Sequence, residues 1–431
     1  MALRVLIGII LTGVIVGCAA TAVLAVDKVP YDFFPVTYWV SPPAEDARYA
    51  ELAECGFTLG FACDIELAYK HGMRSLVVSS GLGGSESGGA LAGSSPSADA
   101  AIDAMVDRYA NKPGFFGFIL SDEPTSADFP QLAYQNQRIL ARDPKLLPFM
   151  NLNPTYAPLW WLGTSTYEEY VEKFVTTVKP KVISFDHYAL FTDGMRPEYY
   201  ENLEIIRRVS LRHGIPFWYV LLSTPLGPDK IPGPGEPRLA GPYRDPSEGD
   251  LRWQVYTSLA YGAQGLVYFT YYPPDPQPGI HFGDAIIKHD GTRDPKYWIV
   301  KQINSEVNAI GKTLLHLTST SVYHISHDEQ LPPGTTLPPK AALIPSTTTG
   351  HLVIGEFTGP KATKYILIAN ASCYDPFDGD ITFSSEVKKL AEVPKKPDRK
   401  LKWQVLPKDK NLHTQRLAPG DGRLYEVSEQ D

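Results

Sequence analysis

Phe115-Phe-Gly-Phe-Ile-Leu-Ser-Asp-Glu-Pro124 is an apolar run that ends abruptly in two carboxylates and a proline. A run of this length, unbroken by polar alternation, reads as a strand buried on both faces, the habit of parallel sheets. The proline halts the strand and fixes the corner that presents Asp122 and Glu123.

Outward from this corner the same unit repeats. Strand-like runs at 33–40, 57–63 and 73–79 precede it, and runs at 146–152, 181–185, 215–222 and 265–271 follow. Helix-like segments stand between them, at 44–55, 65–71, 98–110, 129–142, 167–178, 197–213 and 245–261, and an eighth at 297–317. Gly56, Gly72, Gly214 and Gly262 sit where helices should stop. Before the seventh helix, Asp245-Pro246-Ser247-Glu248 predicts a start with Asp245 as N-cap, Pro246 at N1 and Glu248 at N3. Eight strands, each followed by a helix, predict an α/β fold: a (β/α)8 TIM barrel over residues 30–318. Beyond residue 319 short strands separated by turn residues, such as 352–356, 365–369 and 423–427, predict a small C-terminal all-β sandwich domain reaching 431.

The first 26 residues read as an export segment. Met1-Ala-Leu-Arg4 is a short positive start, and an apolar stretch follows. Ile15-Val-Gly-Cys18 resembles a bacterial lipobox, which would lipidate Cys18 and anchor the N-terminus at a membrane. Val23-Leu-Ala25 resembles a site for ordinary cleavage, and an uncleaved anchor is a third reading. All three export the body, to the periplasm, the outer surface or the medium. Cys55, Cys63 and Cys373 read as buried small hydrophobes.

The composition is globular, with 43% hydrophobic and 20% charged residues and a formal net charge of -8. No basic stripe stands out, so nucleic acid is not an expected partner. The Gly/Ser-rich stretch from Gly81 to Ser97 lacks a lysine in phosphate-loop spacing and reads as a lid or an insert.

Catalytic groups of a parallel barrel sit where strands end and βα loops begin. The carboxylates there are Asp64, Asp122, Glu123 and Asp186. Tyr38, Trp39, Asn151, Asn153, His187, Tyr188, Ser223, Tyr271 and Tyr272 share that rim, and Trp160 and Trp161 follow the fifth strand. Neither a Ser-His-Asp set nor a histidine cluster is present, and no metal or organic cofactor is expected. Carboxylates among amides and aromatics suit glycoside chemistry, in which one carboxylic acid protonates the leaving oxygen and a second carboxylate attacks or activates water. Glu123 is the expected general acid, with Asp122 beside it helping to hold its proton. Asp186 is the expected base or nucleophile. Tyr38, Trp39, Asp64, Asn151, Asn153, His187, Tyr188, Tyr271 and Tyr272 are the expected saccharide contacts. The plainer reading gives Asp64 and Asp122 to helix capping and the rings to core packing.

These residues carry a resemblance. Phe118-Ile-Leu-Ser-Asp-Glu-Pro124 resembles the strand-four corner of clan A glycoside hydrolases, where an Asn-Glu pair carries the acid/base. The segments 251–271 and 290–297, the helix with Ile303-Asn-Ser-Glu306, and the closing Leu417-Ala-Pro-Gly-Asp-Gly-Arg-Leu-Tyr425 resemble barrels related to the family 42 β-galactosidases. The resemblance implies a glycosidase with Glu123 as acid. Two departures stand out. Asp122 replaces the asparagine, and strand seven ends Leu222-Ser-Thr224 without the glutamate nucleophile that the resemblance implies. Glu236 and Glu248 lie further along, in a Pro/Gly-rich loop and at a helix start. Two other readings stay open: a non-catalytic glycan-binding barrel of a surface uptake system, and a carbohydrate lyase using His187 and a tyrosine.

Overall fold

The computed structural model describes residues 31–79, 96–229, 238, 241–327, 330–396, 399–408 and 412–430. The export segment with Cys18, residues 81–95 of the Gly/Ser-rich stretch, and Glu236 lie outside the described residues.

Eight parallel strands form one sheet: β1 (Val36–Tyr38), β2 (Leu59–Phe61), β3 (Arg74–Val78), β4 (Phe115–Asp122), β5 (Leu147–Leu152), β6 (Ile183–Asp186), β7 (Phe217–Leu222) and β8 (Leu266–Phe269). Their order is β1-β8-β7-β6-β5-β4-β3-β2. Thr58 bridges the remaining seam. Its amide donates to the Val36 carbonyl at 2.9 Å, and its hydroxyl accepts from the Val36 amide at 2.9 Å. The sheet is thus a nearly closed barrel, as its apolar, alternation-free strands require. The outer layer holds α1 (Asp46–Glu54), α2 (Ile65–Lys70), α3 (Pro96–Tyr109), α4 (Phe129–Arg142), α5 (Tyr167–Val178), α6 (Tyr199–His213), α7 (Glu248–Ala260) and α8 (Pro295–Leu314). Among the described residues no helix is long and apolar enough to cross a membrane.

The start of α7 differs from its expected form. Ser247, not Asp245, is the N-cap, and it makes a reciprocal capping box with Asp250. Asp245 pairs instead with the Lys296 ammonium on α8. The Ser-x-x-Asp signature two residues downstream outcompetes Asp-Pro because it satisfies two orphan backbone donors at once.

The C-terminal part is an antiparallel sandwich. One sheet holds β9 (Thr318–Ser326), β11 (His351–Thr358), β12 (Lys364–Asn370), β17 (Gly422–Ser428), β14 (Lys389–Glu392) and β15 (Trp403–Val405), in that order. The facing sheet holds β10 (Ser346–Thr347), β13 (Phe377–Thr382) and β16 (Leu412–Leu417). Ile354, Ile366 and Ile368 of the first meet Phe377, Ile381 and Leu417 of the second in one core.

This sandwich covers α7. Every residue of that helix from Asp250 to Ala260 is buried, so it has no solvent face. Gly355 and Gly422 let the sheet approach it: a Cβ at Gly355 would sit 2.1 Å from the Ala260 carbonyl, and one at Gly422 2.8 Å from the Tyr256 ring. Beside this contact the Arg252 guanidinium joins Glu306 at 3.0 Å and Asp421 at 3.3 Å, and Lys395 joins both acids from the β-domain. The three cysteines among the described residues, Cys55, Cys63 and Cys373, are free thiols.

Candidate active site

The strand ends open into a cavity of about 540 Å³ at the barrel mouth. Strand β4 enters it through an irregularity. Its pairing with β5 shifts between Ile119 and Ser121, so the bulge re-aims the residues that follow. Glu123 then takes φ +46°, a left-handed conformation that costs a non-glycine residue on the order of 1 kcal/mol. Its amide is held by the Asn151 carbonyl at 2.8 Å. The outcome is a glutamate turned out of the strand, with its side chain exposed to the cavity. Val40 at the end of β1 and Ala62 at the end of β2 are also left-handed, at φ 60° and 52°. Backbone strain of this kind, gathered at one end of a fold, is typical of functional sites.

Asp186 arrives from β6 and is 2% exposed. Its carboxyl lies near enough to that of Glu123 for each to perturb the other's ionisation. Asn151, at the end of β5, stands between the acids. Its Nδ2 donates to Asp186 Oδ1 at 2.9 Å and to Asp122 Oδ1 at 3.1 Å, and its Oδ1 accepts from Ser184 Oγ at 3.0 Å. Burial pushes the Asp186 carboxyl well above the usual carboxylate range, and the negative Glu123 and Asp122 add to that push. The surrounding protein raises Glu123 too, against the opposing effect of its bond with Asp186. Two carboxyls this near to one another oppose each other's ionisation.

A second layer fixes the corner. Asn153 Nδ2 and the Tyr170 hydroxyl both donate to the Pro124 carbonyl. The Tyr167 hydroxyl donates to the Asn153 carbonyl and accepts from Asn202, whose Oδ1 accepts from the Thr155 amide. The chain thus locks the loops after β4 and β5 to α5 and α6.

The expected rim residues divide. Trp39, Asp122, Glu123, Asn151, Asn153, Asp186, Tyr188, Trp160 and Trp161 line the cavity. Tyr38, Asp64, His187, Tyr271 and Tyr272 do not, which corrects their expected role as saccharide contacts. Tyr38 and Tyr271 are fully buried and pack on each other at 5.4 Å, because neighbours in a strand point to opposite faces and Trp39 takes the open one. Asp64 caps α2, accepting from the Leu67 amide at 2.9 Å. His187 is fully buried with its Nδ1 on Asn202, and burial lowers its pKa to about 3, so the ring is neutral. That placement removes the histidine from any lyase chemistry in the cavity. Tyr272 stands beside Gly291 and Arg48. Ser223, on the strand where the resemblance implies a nucleophile, is buried and donates to the Thr270 carbonyl.

Other cavity residues carried no signal in the sequence. Tyr156 and Tyr243 form one wall, and Arg196 backs it. The Arg196 guanidinium lies 3.7 Å from the Tyr156 ring centre and donates to the Tyr188 carbonyl at 3.2 Å and the Tyr243 hydroxyl at 2.9 Å. Leu226, Ile280 and Phe282 come from a two-stranded antiparallel ribbon, Leu226–Pro228 with Ile280–Phe282, folded over the rim. A ribbon formed across some fifty residues leaves no local pattern to read.

No family model and no curated protein matches the chain. Solved structures do share its fold. A glycoside hydrolase superposes with a TM-score of 0.53 at 13% identity, covering 93% of each chain. A family 5 glycoside hydrolase from Bacteroides vulgatus superposes with a TM-score of 0.51 at 11% identity, over 92% of this chain and 89% of that one. The chain therefore has the fold of (β/α)8 glycoside hydrolases, and coverage of this extent takes in the β-sandwich as well as the barrel.

Proposed function

We propose that the protein is a glycoside hydrolase whose acid is Glu123 and whose nucleophile is Asp186. The observation that carries this reading is that the Glu123 and Asp186 carboxyls line one aromatic-walled cavity and perturb each other's ionisation. Glu123 faces the cavity with its carboxyl raised above the usual range, as suits a general acid, and the reaction requires the pair's proton on Glu123 and the charge on Asp186. Asp186 is oriented by Asn151 on the opposite side of the pair. Carboxyls near enough to perturb one another fit the retaining separation of about 5–5.5 Å better than the inverting one of about 6.5–9.5 Å. The arrangement therefore favours attack by Asp186 on the anomeric carbon, with Glu123 protonating the leaving oxygen and then deprotonating the water that releases the glycosyl group. Strand six would replace strand seven as the source of the nucleophile.

Aryl glycosides and plant or algal polysaccharides, assayed with wild type and Glu123→Gln, test the assignment. Loss of about 10²–10⁴-fold is expected on unactivated leaving groups, with far less loss on dinitrophenyl glycosides that need no acid. Undiminished turnover of unactivated substrates by the variant would falsify it. Binding without turnover by wild type would favour the glycan-binding barrel instead, a reading that draws on the near-complete burial of Asp186.

Export is part of the proposal and rests on residues 1–26 alone. Mass spectrometry of the mature N-terminus distinguishes a diacylglyceryl Cys18 from cleavage after Ala25, and an intact Met1 in a soluble cytoplasmic fraction would overturn export.

A further inference from the structure

The cavity is electrostatically one-sided. Its described lining carries three carboxyls, Asp122, Glu123 and Asp186, and no lysine, arginine or histidine. The cation behind the wall, Arg196, is turned away. Its guanidinium is stacked on Tyr156 and directs its hydrogen bonds to the Tyr188 and Arg238 carbonyls and the Tyr243 hydroxyl, all of them neutral acceptors.

The walls add to the same sign. Trp39, Tyr156, Trp160, Trp161, Tyr188 and Phe269 surround the acids. Trp160 and Trp161 are 81% and 49% exposed, and their rings are not spent on core packing. The face of an aromatic ring is the negative end of its quadrupole, so rings and carboxylates attract the same ligands. A cleft lined by one sign of charge also concentrates the opposite sign.

We infer that the cavity selects glycosides carrying a free ammonium group, that is amino sugars, and rejects uronic and sulfated ones. This rests on the reading of the cavity as a glycoside site and adds the class of sugar. An anionic sugar would bring a carboxylate or sulfate into the company of three carboxyls, with no cation among the described lining residues to meet it. A neutral sugar is tolerated, and an ammonium gains both the charge and the rings.

Calorimetric titration with matched methyl glycosides tests it: the neutral parent, the 2-amino and 6-amino sugars and the uronide, in gluco and galacto series. At least one ammonium sugar should bind about ten-fold tighter than its parent, the increment of one cation–ring or cation–carboxylate contact. The uronide should bind more weakly than the parent. The preference should shrink in Asp122→Asn and, in wild type, as sodium chloride is raised. Parent or uronide binding as tightly as every ammonium sugar, or no binding by any of the set, would overturn the inference. Turnover of neutral glycosides without ammonium preference would defeat it and leave the hydrolase standing. Ammonium preference without turnover of any glycoside would do the reverse.

Discussion

Asn151→Ala isolates the electrostatics of the acid pair. In the native protein one amide group donates to Asp186 at 2.9 Å and to Asp122 at 3.1 Å. A hydrogen bond to a charged acceptor is worth about 1.5–3 kcal/mol, and it favours the ionised form of that acceptor. Removing the bond to Asp186 should therefore raise the apparent titration of the pair by about 1–2 units, at ~1.4 kcal/mol per unit. The variant also leaves the buried Ser184 hydroxyl without its acceptor, which should cost about 1–3 kcal/mol of stability. The assay is a carbon-13 NMR titration of labelled carboxyl carbons, run beside a thermal melt. A purely structural asparagine would lower the melting temperature and leave the titration in place. An unmoved titration in a folded variant would refute the claim that Asn151 sets the charge of the pair.

Asp186→Asn should stabilise the protein at neutral pH while removing turnover. The folded carboxyl titrates above its unfolded value of 3.8, so the fold loses stability as pH rises from 3.8 through the folded value; the gain should be on the order of 1 kcal/mol or more at pH 7 and vanish near pH 3.8. Equal melting temperatures at pH 7 would contradict this. The His324–His351 pair works in the opposite direction. Burial lowers His351 from 6.5 to about 4 and His324 further still, so the unfolded chain binds more protons between pH 6.5 and 4 and stability should fall across that window. His351→Gln should recover about 1–3 kcal/mol of the loss in urea unfolding at pH 4.5, and an unchanged pH slope would count against it. Arg252→Met should cost about 3 kcal/mol in the same assay, because it strips a nearly buried cation from Glu306 and Asp421 and leaves both to Lys395. A loss below the error of the fit would show the network to be energetically idle.

The barrel was legible because its signal is local. Each strand is an apolar run, each helix ends on a glycine or a cap, and eight repeats of the unit admit one arrangement. Asp122 and Glu123 were legible for the same reason, as the polar end of an apolar strand. Facing was harder. Tyr38 and Trp39 are adjacent and both aromatic, and only the pleat decides that Trp39 meets the cavity. Asp64 satisfied both a catalytic and a capping reading, and the Leu67 amide claimed it. The turn of Glu123 into the cavity that Asp186 also lines depends on a bulge in β4 and a left-handed glutamate, features set by the pairing of β4 with β5 and not by either segment alone. The aromatic wall of Tyr156, Tyr243 and Phe282 assembles from three segments far apart in the chain, so nothing short-range announced it.

Helix α7 makes the two halves thermodynamically inseparable. A barrel helix normally turns one side to water, but here the β-sandwich stands where that water would be. A chain cut near residue 317 would uncover Tyr256 and the backbone at Ala260, and would take Asp421 from Arg252 and Lys395 from Glu306. The sandwich is therefore part of what the barrel needs in order to fold, not a module hung on its end. Heating should melt both in one transition, and limited proteolysis should find no stable barrel fragment.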